Sequence, residues 1–298
     1  MIEAVPSAVV TYFPASGLAD RLRAIGRESS RVLVADNTTA PASRAAVEAA
    51  TVAGGATYLG LASNGGVAGG LNAAFTRFRE EGHRRAIAFD QDSVPQPGFA
   101  TALQRHAAAT GCRIVGADWF DQVNPTRHAK HLQPLPWLPF LFRRRTVPPE
   151  GLDSVTFAIT SGTLFDLELW HQLSGFDPAF PLDYVDIDFC LRARRLGVRT
   201  GIAAGALLAH SRGAKHPVRR FGRTWWPAFT PPSRLASQAN ARMQMLRRHG
   251  RLVPHWAVYE LVFQAKTFGE ILAFEGKKMA KLSALARGLW AGTVTPCP

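Results

Sequence analysis

Short apolar runs that end at polar or turn-forming residues alternate with helical patterns over the first third of the chain. The runs rich in strand-forming residues are at positions 8–12, 31–35, 57–61 and 86–89. The segments between them carry apolar residues three and four positions apart, as at Leu18, Leu22 and Ile25, which predicts helices. Strands that alternate with helices predict a mostly parallel sheet with helices on both faces.

The pattern becomes less regular after this series. Apolar runs at residues 113–117 and 155–159 predict two further strands, whereas closely spaced prolines predict a long irregular insertion over residues 121–151. Beyond residue 214 a basic and aromatic loop leads into amphipathic helices. We therefore predict an α/β domain over residues 1–213 and a basic, helical region over residues 214–298.

Composition is that of a folded protein, with 47% apolar and 19% charged residues. Three widely separated cysteines, Cys112, Cys190 and Cys297, predict reduced thiols in a cytoplasmic protein. The first residues lack the basic segment of a signal peptide. The apolar run at residues 137–142 is far shorter than the ~18 residues of a membrane-spanning helix.

The net charge of +13 is concentrated in the C-terminal third of the chain. Residues 210–298 hold 15 Lys and Arg against three acids, a balance of +12, which leaves +1 for the rest of the chain. Such a basic region attracts nucleic acid, anionic lipid or a phosphorylated substrate. Composition leaves these three partners open.

Two acids at the exit of an apolar strand carry the strongest chemical signal. Asp90 and Asp92 are two positions apart, so in an extended segment they point the same way. Paired carboxylates suit Mg²⁺ or Mn²⁺, although a surface turn is the alternative. In open parallel sheets ligands lie outside the carboxyl ends of the strands, where Tyr12 and Asp36 also fall. For Asp36 a helix cap is the alternative.

A second group of acids, Asp183, Asp186 and Asp188, opens a predicted helix. Acids in a first turn are favoured by the helix dipole alone. Helical geometry nevertheless places Asp186 on the inward apolar face, which suits a general base whose pKa benefits from partial burial. Asp188 falls on the opposite face with Arg192, which predicts a solvent-exposed, structural ion pair.

Two further segments complete the set of candidate residues. His210 follows an apolar run, and its imidazole could complete a metal site with the paired acids. The Gly-rich segment at residues 64–72 has neither the dinucleotide nor the P-loop pattern. Its glycines indicate close backbone approach, with Asn64 and Asn72 as hydrogen-bonding candidates.

Taken in order, these segments resemble the inverting family-2 glycosyltransferases of GT-A fold. Residues 9–14 and 34–38 resemble the first two donor-binding strands of the family, and residues 64–72 resemble its Asn/Gly loop. Asp90-Gln91-Asp92 is similar to the Asp-x-Asp motif of the family. The segments that resemble its acceptor, base and third-ligand segments are Ser161-Gly162, Gly175-Phe176-Asp177, Asp183-Tyr184-Val185-Asp186 and His210-Ser211-Arg212-Gly213. The resemblance spans residues 5–250 or so.

The resemblance implies an α/β nucleotide-diphospho-sugar transferase domain with a C-terminal helical extension. Its donor-binding part would cover about residues 1–118 and its acceptor part about residues 152–213, followed by a basic lid. It implies Asp186 as the catalytic base and Mg²⁺ or Mn²⁺ held by Asp92, His210 and Asp90. The implied donor contacts are Tyr12, Pro14, Asp36, Asn64, Asn72, Asp90 and Gln91. The implied acceptor contacts are Ser161, Gly162, Asp183, Tyr184, Trp225 and Trp226.

Within the family, the segments at residues 89–93 and 183–186 are most similar to bacterial rhamnosyltransferases that use dTDP-L-rhamnose. Positions 188 and 189 hold Asp and Phe, where those enzymes often have Glu and Trp. The similarity implies transfer of L-rhamnose, with a UDP-sugar as the alternative donor, to a glycan or lipid-linked acceptor in cell-surface polysaccharide synthesis. It places the protein in the cytoplasm, at the inner face of the plasma membrane.

Three alternatives remain open at this level. Apolar residues alternate with lysines over residues 263–281, which fits either contact with an anionic membrane or helices packed on the catalytic domain with lysines outward. A sugar-nucleotide pyrophosphorylase would need a basic Gly-rich loop after the first strand, where this chain has residues 11–17. A nucleic-acid-binding protein would explain the basic tail but not the aligned acids, so we expect no nucleic-acid partner.

Overall fold

The computed structural model describes residues 4–122, 126, 128–210, 217–220, 222–227 and 229–295. These residues form two compact units. The first unit contains the described residues up to 133 and from 144 to 210, and the second contains residues 134–143 and those from 217 onward. Residues 134–143 thus lie in the second unit, although they precede most of the acceptor part predicted from the sequence.

A nine-stranded sheet forms the centre of the first unit as described. Its strands are β1 (Ser7–Thr11), β2 (Val32–Asp36), β3 (Thr57–Gly60), β4 (Arg85–Asp90), β5 (Val94–Pro95), β6 (Ile114–Asp121), β9 (Leu152–Val155), β10 (Thr163–Asp166) and β11 (Thr200–His210). A separate pair is formed by β7 (His131–Leu135) and β8 (Leu138–Arg145). The helices of this unit are α1 (Leu18–Gly26), α2 (Pro41–Ala53), α3 (Gly66–Glu80), α4 (Phe99–Thr110), α5 (Leu167–Gln172) and α6 (Val185–Arg195).

The predicted parallel arrangement of the first four strands is confirmed. β1 lies between β2 and β4 and is parallel to both, and β2 is parallel to β3. The register pairs Thr11 with Asp36 and Val10 with Asp90. The carboxyl ends of these strands therefore meet at one edge of the sheet, as the sequence predicted.

The predicted strand at residues 155–159 is wrong. The chain bends there, and β10 begins only after Gly162, whose φ of 74° is a left-handed conformation that favours glycine. β10 runs antiparallel between β4 and β6. It ends at Asp166, whose side chain caps α5 by accepting from the Leu169 amide at 2.8 Å.

The insertion is not irregular throughout, because β7 and β8 pair within it. Pro134 and Pro139 lie inside these strands. Prolines are tolerated in strands whose amide groups face away from a partner, and both strands of a two-stranded sheet have such an edge.

The two faces of the large sheet carry two cores. One contains an aromatic cluster in which the Phe176 ring lies 4.8 Å from Phe189, 5.4 Å from Phe165 and 5.6 Å from Phe75, measured between centroids. Because Phe189 belongs to α6, these contacts fix that helix against the sheet. The cluster therefore positions the acids at the start of α6.

The second unit contains α7 (Pro232–His249), α8 (Pro254–Phe274), α9 (Lys278–Val294), β12 (Val218–Arg220) and β13 (Arg223–Trp225). Gly288 and Gly292 let α9 approach α7 closely, since a Cβ at Gly288 would lie 2.2 Å from the Ala236 carbonyl oxygen. The amphipathic character predicted for these helices fails for α8, where four of 21 residues are buried. Over the described residues, no helix is sufficiently long and apolar to span a bilayer.

Cys112 and Cys190 are buried free thiols, as predicted. Cys297 lies outside the described residues.

Candidate active site

The ends of β4 and β11 and the short strand β5 meet at the carboxyl edge of the large sheet. Asp90 is the last residue of β4, and His210 is the last residue of β11. The short strand β5 pairs antiparallel with β11, which matches Ala209 with Val94. This pairing turns the Asp90–Asp92 loop back toward His210.

The structure brings the predicted metal ligands together. The His210 Nε2 atom lies 4.0 Å from Asp90 Oδ2, and its Nδ1 atom lies 3.6 Å from Asp92 Oδ1. One ligand atom from each of the three residues falls within 4.8 Å of the others. The distance from His210 Nε2 to Asp90 Oδ2 is shorter than twice the ~2.1 Å bond of a divalent cation to oxygen or nitrogen.

The chemistry of this donor set fits a divalent cation. Two carboxylates and one imidazole suit Mg²⁺ or Mn²⁺. The pKa of the Asp90 carboxyl is raised to about 7, first by burial and then by repulsion from Asp92 and Asp186. Its side chain is still 37% exposed, so the recessed carboxylate remains open to a ligand from outside. A cation placed there would relieve the repulsion that raises this pKa.

Two buried serines hold the ligand residues in place. Ser93 Oγ lies 3.1 Å from His210 Nδ1 and 2.6 Å from Ser161 Oγ. Ser161 Oγ also accepts a hydrogen bond from the Asp90 amide at 3.0 Å. The serine pair therefore links both metal-ligand loops and leaves the Nε2 side of the imidazole toward Asp90.

Further contacts orient the imidazole and the acidic loop. The Trp119 ring lies edge-on to His210, with centroids 6.0 Å apart. The Gln122 side-chain amide donates to the Asp92 carbonyl at 3.0 Å and to the Ala209 carbonyl at 3.3 Å. Such contacts behind a ligand restrict its orientation and commonly tune metal affinity.

Asp186 is the acid that the start of α6 directs toward this cluster. Burial raises its pKa to about 6, while hydrogen bonds with the backbone of Ile187 and Thr160 partly oppose the shift. Its charge in turn raises the pKa of Asp90. A half-buried carboxylate with a pKa near 6 is well suited to accept a proton at neutral pH.

The predicted environment of Asp188 is wrong. The sequence placed it on a solvent-exposed face, but its side chain is fully buried. It accepts from Arg192 Nε at 2.6 Å, and Arg192 also donates to the carbonyls of Leu173 and Gly175. Tertiary packing over this face, invisible in the helical pattern, produces a buried structural ion pair.

The Gly-rich loop supports the segment that carries Asp186. A Cβ at Gly66 would lie 2.2 Å from the Pro181 carbonyl oxygen, and Gly66 has a φ of 67°. The same carbonyl accepts from the Ala68 amide at 3.2 Å. Close backbone approach, as the glycines indicated, thus joins this loop to the chain just before Tyr184, which adopts a φ of 67° at the start of α6.

The two asparagines of this loop are engaged within the protein. Asn72 Oδ1 accepts from the Phe176 amide at 2.8 Å and from Trp170 Nε1 at 3.2 Å, and Asn72 Nδ2 donates to the Phe176 carbonyl at 2.8 Å. Asn64 Oδ1 accepts from the Gly66 amide at 2.9 Å. Donor contacts of both residues stay a prediction.

The loop after β1 is tied to the acidic loop. The Tyr12 amide donates to Gln91 Oε1 at 2.8 Å. Arg21 Nε donates to the Gln91 carbonyl at 2.7 Å, and its other nitrogens donate to the carbonyls of Ser16 and Ala15. Tyr12 itself is exposed, so its ring is available to a ligand.

Asp36 is fully buried. Its carboxylate accepts from Thr11 Oγ1 at 2.9 Å, from the Thr38 amide at 3.1 Å and from the Tyr58 hydroxyl at 3.0 Å. It holds the ends of β1 and β2 together rather than capping a helix. Its role in donor binding stays a prediction.

The other predicted contacts lie in different surroundings. Pro14 lines a cleft of about 350 Å³ between the loop after β1 and α2, which contains none of the acids. Gly162 is packed within the sheet, where a Cβ would lie 2.8 Å from Leu208. Asp183 lies beside Tyr184 in the segment before α6, and its charge raises the pKa of Asp186. Trp225 and Trp226 are exposed residues of the second unit. Residues 211–213 of the third-ligand segment lie outside the described residues.

Sequence reasoning missed four residues that support the site, which are Ser93, Trp119, Gln122 and Arg21. Ser93 directly follows the paired acids, so its position was the one available signal. The other three belong to a strand, a loop and a helix surface. The sequence pattern there predicts the secondary structure but no role for these side chains.

Comparison with known proteins identifies the family of the chain. The model of the family described as "Glycosyltransferase like family 2" matches residues 8–247, so the chain belongs to this family and is a glycosyltransferase. A curated relative, the dTDP-rhamnosyl transferase RfbF of Shigella flexneri, is 26% identical over 222 residues. These residues are 74% of this chain and 72% of the relative. Membership of this family favours sugar transfer over the pyrophosphorylase and nucleic-acid-binding alternatives.

Solved structures show the same fold. S. aureus TarS 1-349 in complex with UDP-GlcNAc has a TM-score of 0.59 at 13% identity, covering 97% of this chain and 81% of that chain. GalNAc-T7 with UDP, GalNAc and Mn²⁺ has a TM-score of 0.55 at 10% identity, covering 80% of this chain and 47% of that chain. At these identities the likeness establishes the GT-A fold alone, as predicted.

Proposed function

We propose that the protein is an inverting, metal-dependent rhamnosyltransferase that moves L-rhamnose from dTDP-L-rhamnose to a hydroxyl group of its acceptor. The observation that carries the proposal is the placement of Asp186, with a pKa of about 6, within electrostatic reach of the Asp90, Asp92 and His210 cluster. A base beside a site for a diphosphate is the minimum that a single displacement requires.

In this mechanism Asp186 takes the proton from the acceptor hydroxyl. The acceptor oxygen forms a bond to the anomeric carbon as the bond from that carbon to the diphosphate oxygen breaks on the opposite face. The bonding electrons leave with the nucleoside diphosphate, so the configuration at the anomeric carbon inverts. Asp186 is mostly ionised at neutral pH because its pKa lies near 6.

Asp90, Asp92 and His210 are the residues that would hold Mg²⁺ or Mn²⁺. When bound, such a cation supplies the positive charge that stabilises a departing diphosphate. Ser93 and Ser161 keep the acidic loop and the imidazole in place for this role. Removal of the acceptor proton depends on the Asp186 side chain.

The donor assignment rests on Tyr12, the loop containing Gln91 and the relative in Shigella flexneri. The exposed Tyr12 ring is suited to stack on a nucleobase beside the carboxyl end of β1. The relative is a dTDP-rhamnosyl transferase, which favours dTDP-L-rhamnose. A UDP-sugar is the alternative, because TarS and GalNAc-T7 have been solved with UDP-GlcNAc and UDP.

For the acceptor we propose a glycan or lipid-linked saccharide of a bacterial surface polysaccharide, used at the cytoplasmic face of the membrane. The basic balance of residues 210–298 favours contact with an anionic surface or a diphosphate-linked lipid. The segment around Asp183 and Tyr184 would contact the acceptor, because it directly precedes Asp186.

Donor-dependent thermal shifts test the proposal. The unfolding temperature is measured with dTDP, UDP or GDP, each with and without Mn²⁺, since a ligand that binds the native state raises it. We expect the largest increase with dTDP and Mn²⁺ together. Hydrolysis of dTDP-L-rhamnose to dTDP should follow the same metal requirement. A larger shift and faster hydrolysis with UDP and UDP-sugars would replace the proposed donor.

A further inference from the structure

An exposed apolar hairpin is the feature of the second unit that sugar transfer does not explain. Trp137, at the turn between β7 and β8, is 91% exposed, and Phe140 is 62% exposed. Leu138 and Leu141 of β8 are also exposed. Leu138 and Phe140 lie on one face of this isolated two-stranded sheet and Leu141 lies on the other, an arrangement that leaves apolar surface in water.

Helix α8 extends this apolar surface. No residue from 261 to 270 of this helix is buried. Its exposed apolar residues are Leu261, Val262, Phe263, Phe268 and Leu272. A helix of ordinary globular packing buries an apolar stripe instead.

Aromatic contacts join the hairpin to α8 within the second unit. The Phe142 ring of β8 lies edge-on to Tyr259 with centroids 5.6 Å apart, and Tyr259 lies 6.4 Å from Phe263. These contacts place β8 beside α8, and we call the exposed apolar residues of the hairpin and of α8 together the apolar face. It consists of Trp137, Leu138, Phe140, Leu141, Leu261, Val262, Phe263, Phe268 and Leu272.

Positive charge surrounds the apolar face. β8 continues into Arg143, Arg144 and Arg145, which are all exposed. At the other end of α8, the Arg220 guanidinium donates to the Ala273 carbonyl, and the Trp225 ring lies 5.2 Å from Phe274. These contacts place the basic strands β12 and β13 beside the end of the helix.

The few acids of the second unit are already paired. Glu260 accepts from Arg242 at 2.9 Å, Glu270 lies 3.3 Å from Lys266, and Glu275 accepts from Lys281. They are the three acids of residues 210–298, against 15 basic residues. Residues 210–298, which form most of the second unit, therefore carry a large positive excess.

We propose that the apolar face docks on the surface of a bilayer containing anionic lipid. Apolar and aromatic side chains would enter the boundary between headgroups and acyl chains, while the flanking Arg and Lys residues contact lipid phosphates. Tryptophan at an exposed tip suits this boundary because its ring has apolar and polar parts. The helix lies on such a surface and does not cross it, as its charged residues Lys266 and Glu270 require.

Charge favours a bilayer over a second copy of the chain as the occupant. A symmetric dimer would place the same surface on both sides of the interface. The basic residues around the two apolar faces would then oppose one another without acids to compensate them. An anionic membrane supplies the missing charge. This contact would bring the protein to a lipid-linked acceptor. Only this statement about the acceptor rests on the proposed function.

Vesicle flotation tests the docking surface. The full chain is mixed with vesicles of phosphatidylcholine and phosphatidylglycerol, or of phosphatidylcholine alone. We expect binding to the anionic vesicles that weakens at high salt, and weak binding to the neutral ones. Trp137→Ser with Phe140→Ser should lower binding about tenfold. Arg143→Gln with Arg144→Gln should lower it toward the level on neutral vesicles.

Matched variants and a second readout separate the outcomes. Val52→Ser removes another exposed apolar side chain, on α2, and should leave flotation unchanged. Hydrolysis of dTDP-L-rhamnose should be unaffected by the hairpin variants, which would show that they fold.

Flotation without donor hydrolysis would overturn the proposed function and leave the docking surface standing. Equal flotation of wild type and both double variants would overturn the docking surface. So would a hairpin variant that turns a dimer into a monomer without changing flotation.

Discussion

His210 Nε2 lies 4.0 Å from Asp90 Oδ2, and each residue is the last of its strand, β11 and β4. In the sheet, β10 and β6 separate these two strands. The two residues nevertheless lie close together because β5 pairs with β11 and turns the acidic loop back toward it. Ser93 and Ser161 then fix the imidazole beside the carboxylates. This candidate metal site is therefore defined by the three ligand residues and by the two serines behind them.

Removal of the divalent cation should abolish sugar transfer. EDTA is expected to stop turnover, and Mn²⁺ or Mg²⁺ should restore it. His210→Ala should lower kcat/KM at least a hundredfold and remove the Mn²⁺-dependent increase in unfolding temperature with dTDP. His171→Ala, which changes an exposed histidine, serves as the control. Full activity after exhaustive chelation would contradict the assignment.

The serine pair should influence metal affinity without contacting the metal. Ser93→Ala is expected to raise the Mn²⁺ concentration required for half-maximal activity by about 10- to 100-fold, because His210 loses its partner at Nδ1. Excess Mn²⁺ should recover most of the turnover. Ser283→Ala is the exposed control. A loss of turnover that no Mn²⁺ concentration restores would assign Ser93 a different role.

Asp186→Asn should lower kcat by about 10²- to 10⁴-fold and leave dTDP binding intact, since the amide cannot accept the acceptor proton. In the wild type, kcat/KM should rise with pH through about 6 and then level off, because Asp186 must be ionised. The exposed Asp20→Asn provides the control. Turnover of Asp186→Asn at the wild-type rate would contradict the assignment of the base.

The same substitution should affect stability in a pH-dependent manner. The native pKa of Asp186 is raised to about 6 from 3.8, so the native state binds more protons than the unfolded state within this window. The contribution of this group to stability is therefore greatest below the window and is lost as pH rises through it. Asp186→Asn should gain in unfolding temperature relative to wild type between pH 4 and 7. If the difference in unfolding temperature between Asp186→Asn and wild type did not change with pH, the pKa of Asp186 would not be raised.

Gly66→Ala should impair both folding and catalysis. The new Cβ would lie 2.2 Å from the Pro181 carbonyl oxygen at a φ of 67°, so we expect a loss of about 1–3 kcal/mol in the free energy of unfolding. Displacement of the segment before Asp186 should lower kcat more than it changes dTDP affinity. Gly69→Ala is the matched control in α3, since no atom lies within 4 Å of its Cβ. Equal effects of the two changes would contradict the role of this contact.

The sequence predicted the parts of the fold that follow from local pattern. Strands β1, β2 and β4 are mostly buried apolar runs, and the carboxyl ends of parallel strands must share one edge. Asp90 and Asp92 could therefore be placed at that edge from sequence, whereas His210 was joined to them through its imidazole chemistry and the family resemblance. The antiparallel strand β10 could not be predicted from sequence. Thr163–Asp166 is too short to show a hydrophobic period, and its partner strands are distant in sequence.

Burial set by tertiary packing also escaped prediction. Helical spacing put Asp188 in solvent, whereas Arg192 and the carbonyls of Leu173 and Gly175 enclose it. The run at residues 137–142 showed its apolar character in the sequence but not its exposure, which depends on β8 having one partner strand. Periodicity describes one element at a time, and these features arise between elements.

Anomalous diffraction from crystals grown with Mn²⁺ and dTDP would locate the bound cation. We expect the strongest manganese peak within bonding distance of Asp90, Asp92 and His210, with the diphosphate on its open side and the Asp186 carboxylate facing the vacant acceptor position. A manganese peak elsewhere in an active, Mn²⁺-dependent enzyme, or Asp186 turned away from the bound nucleotide, would contradict this expectation.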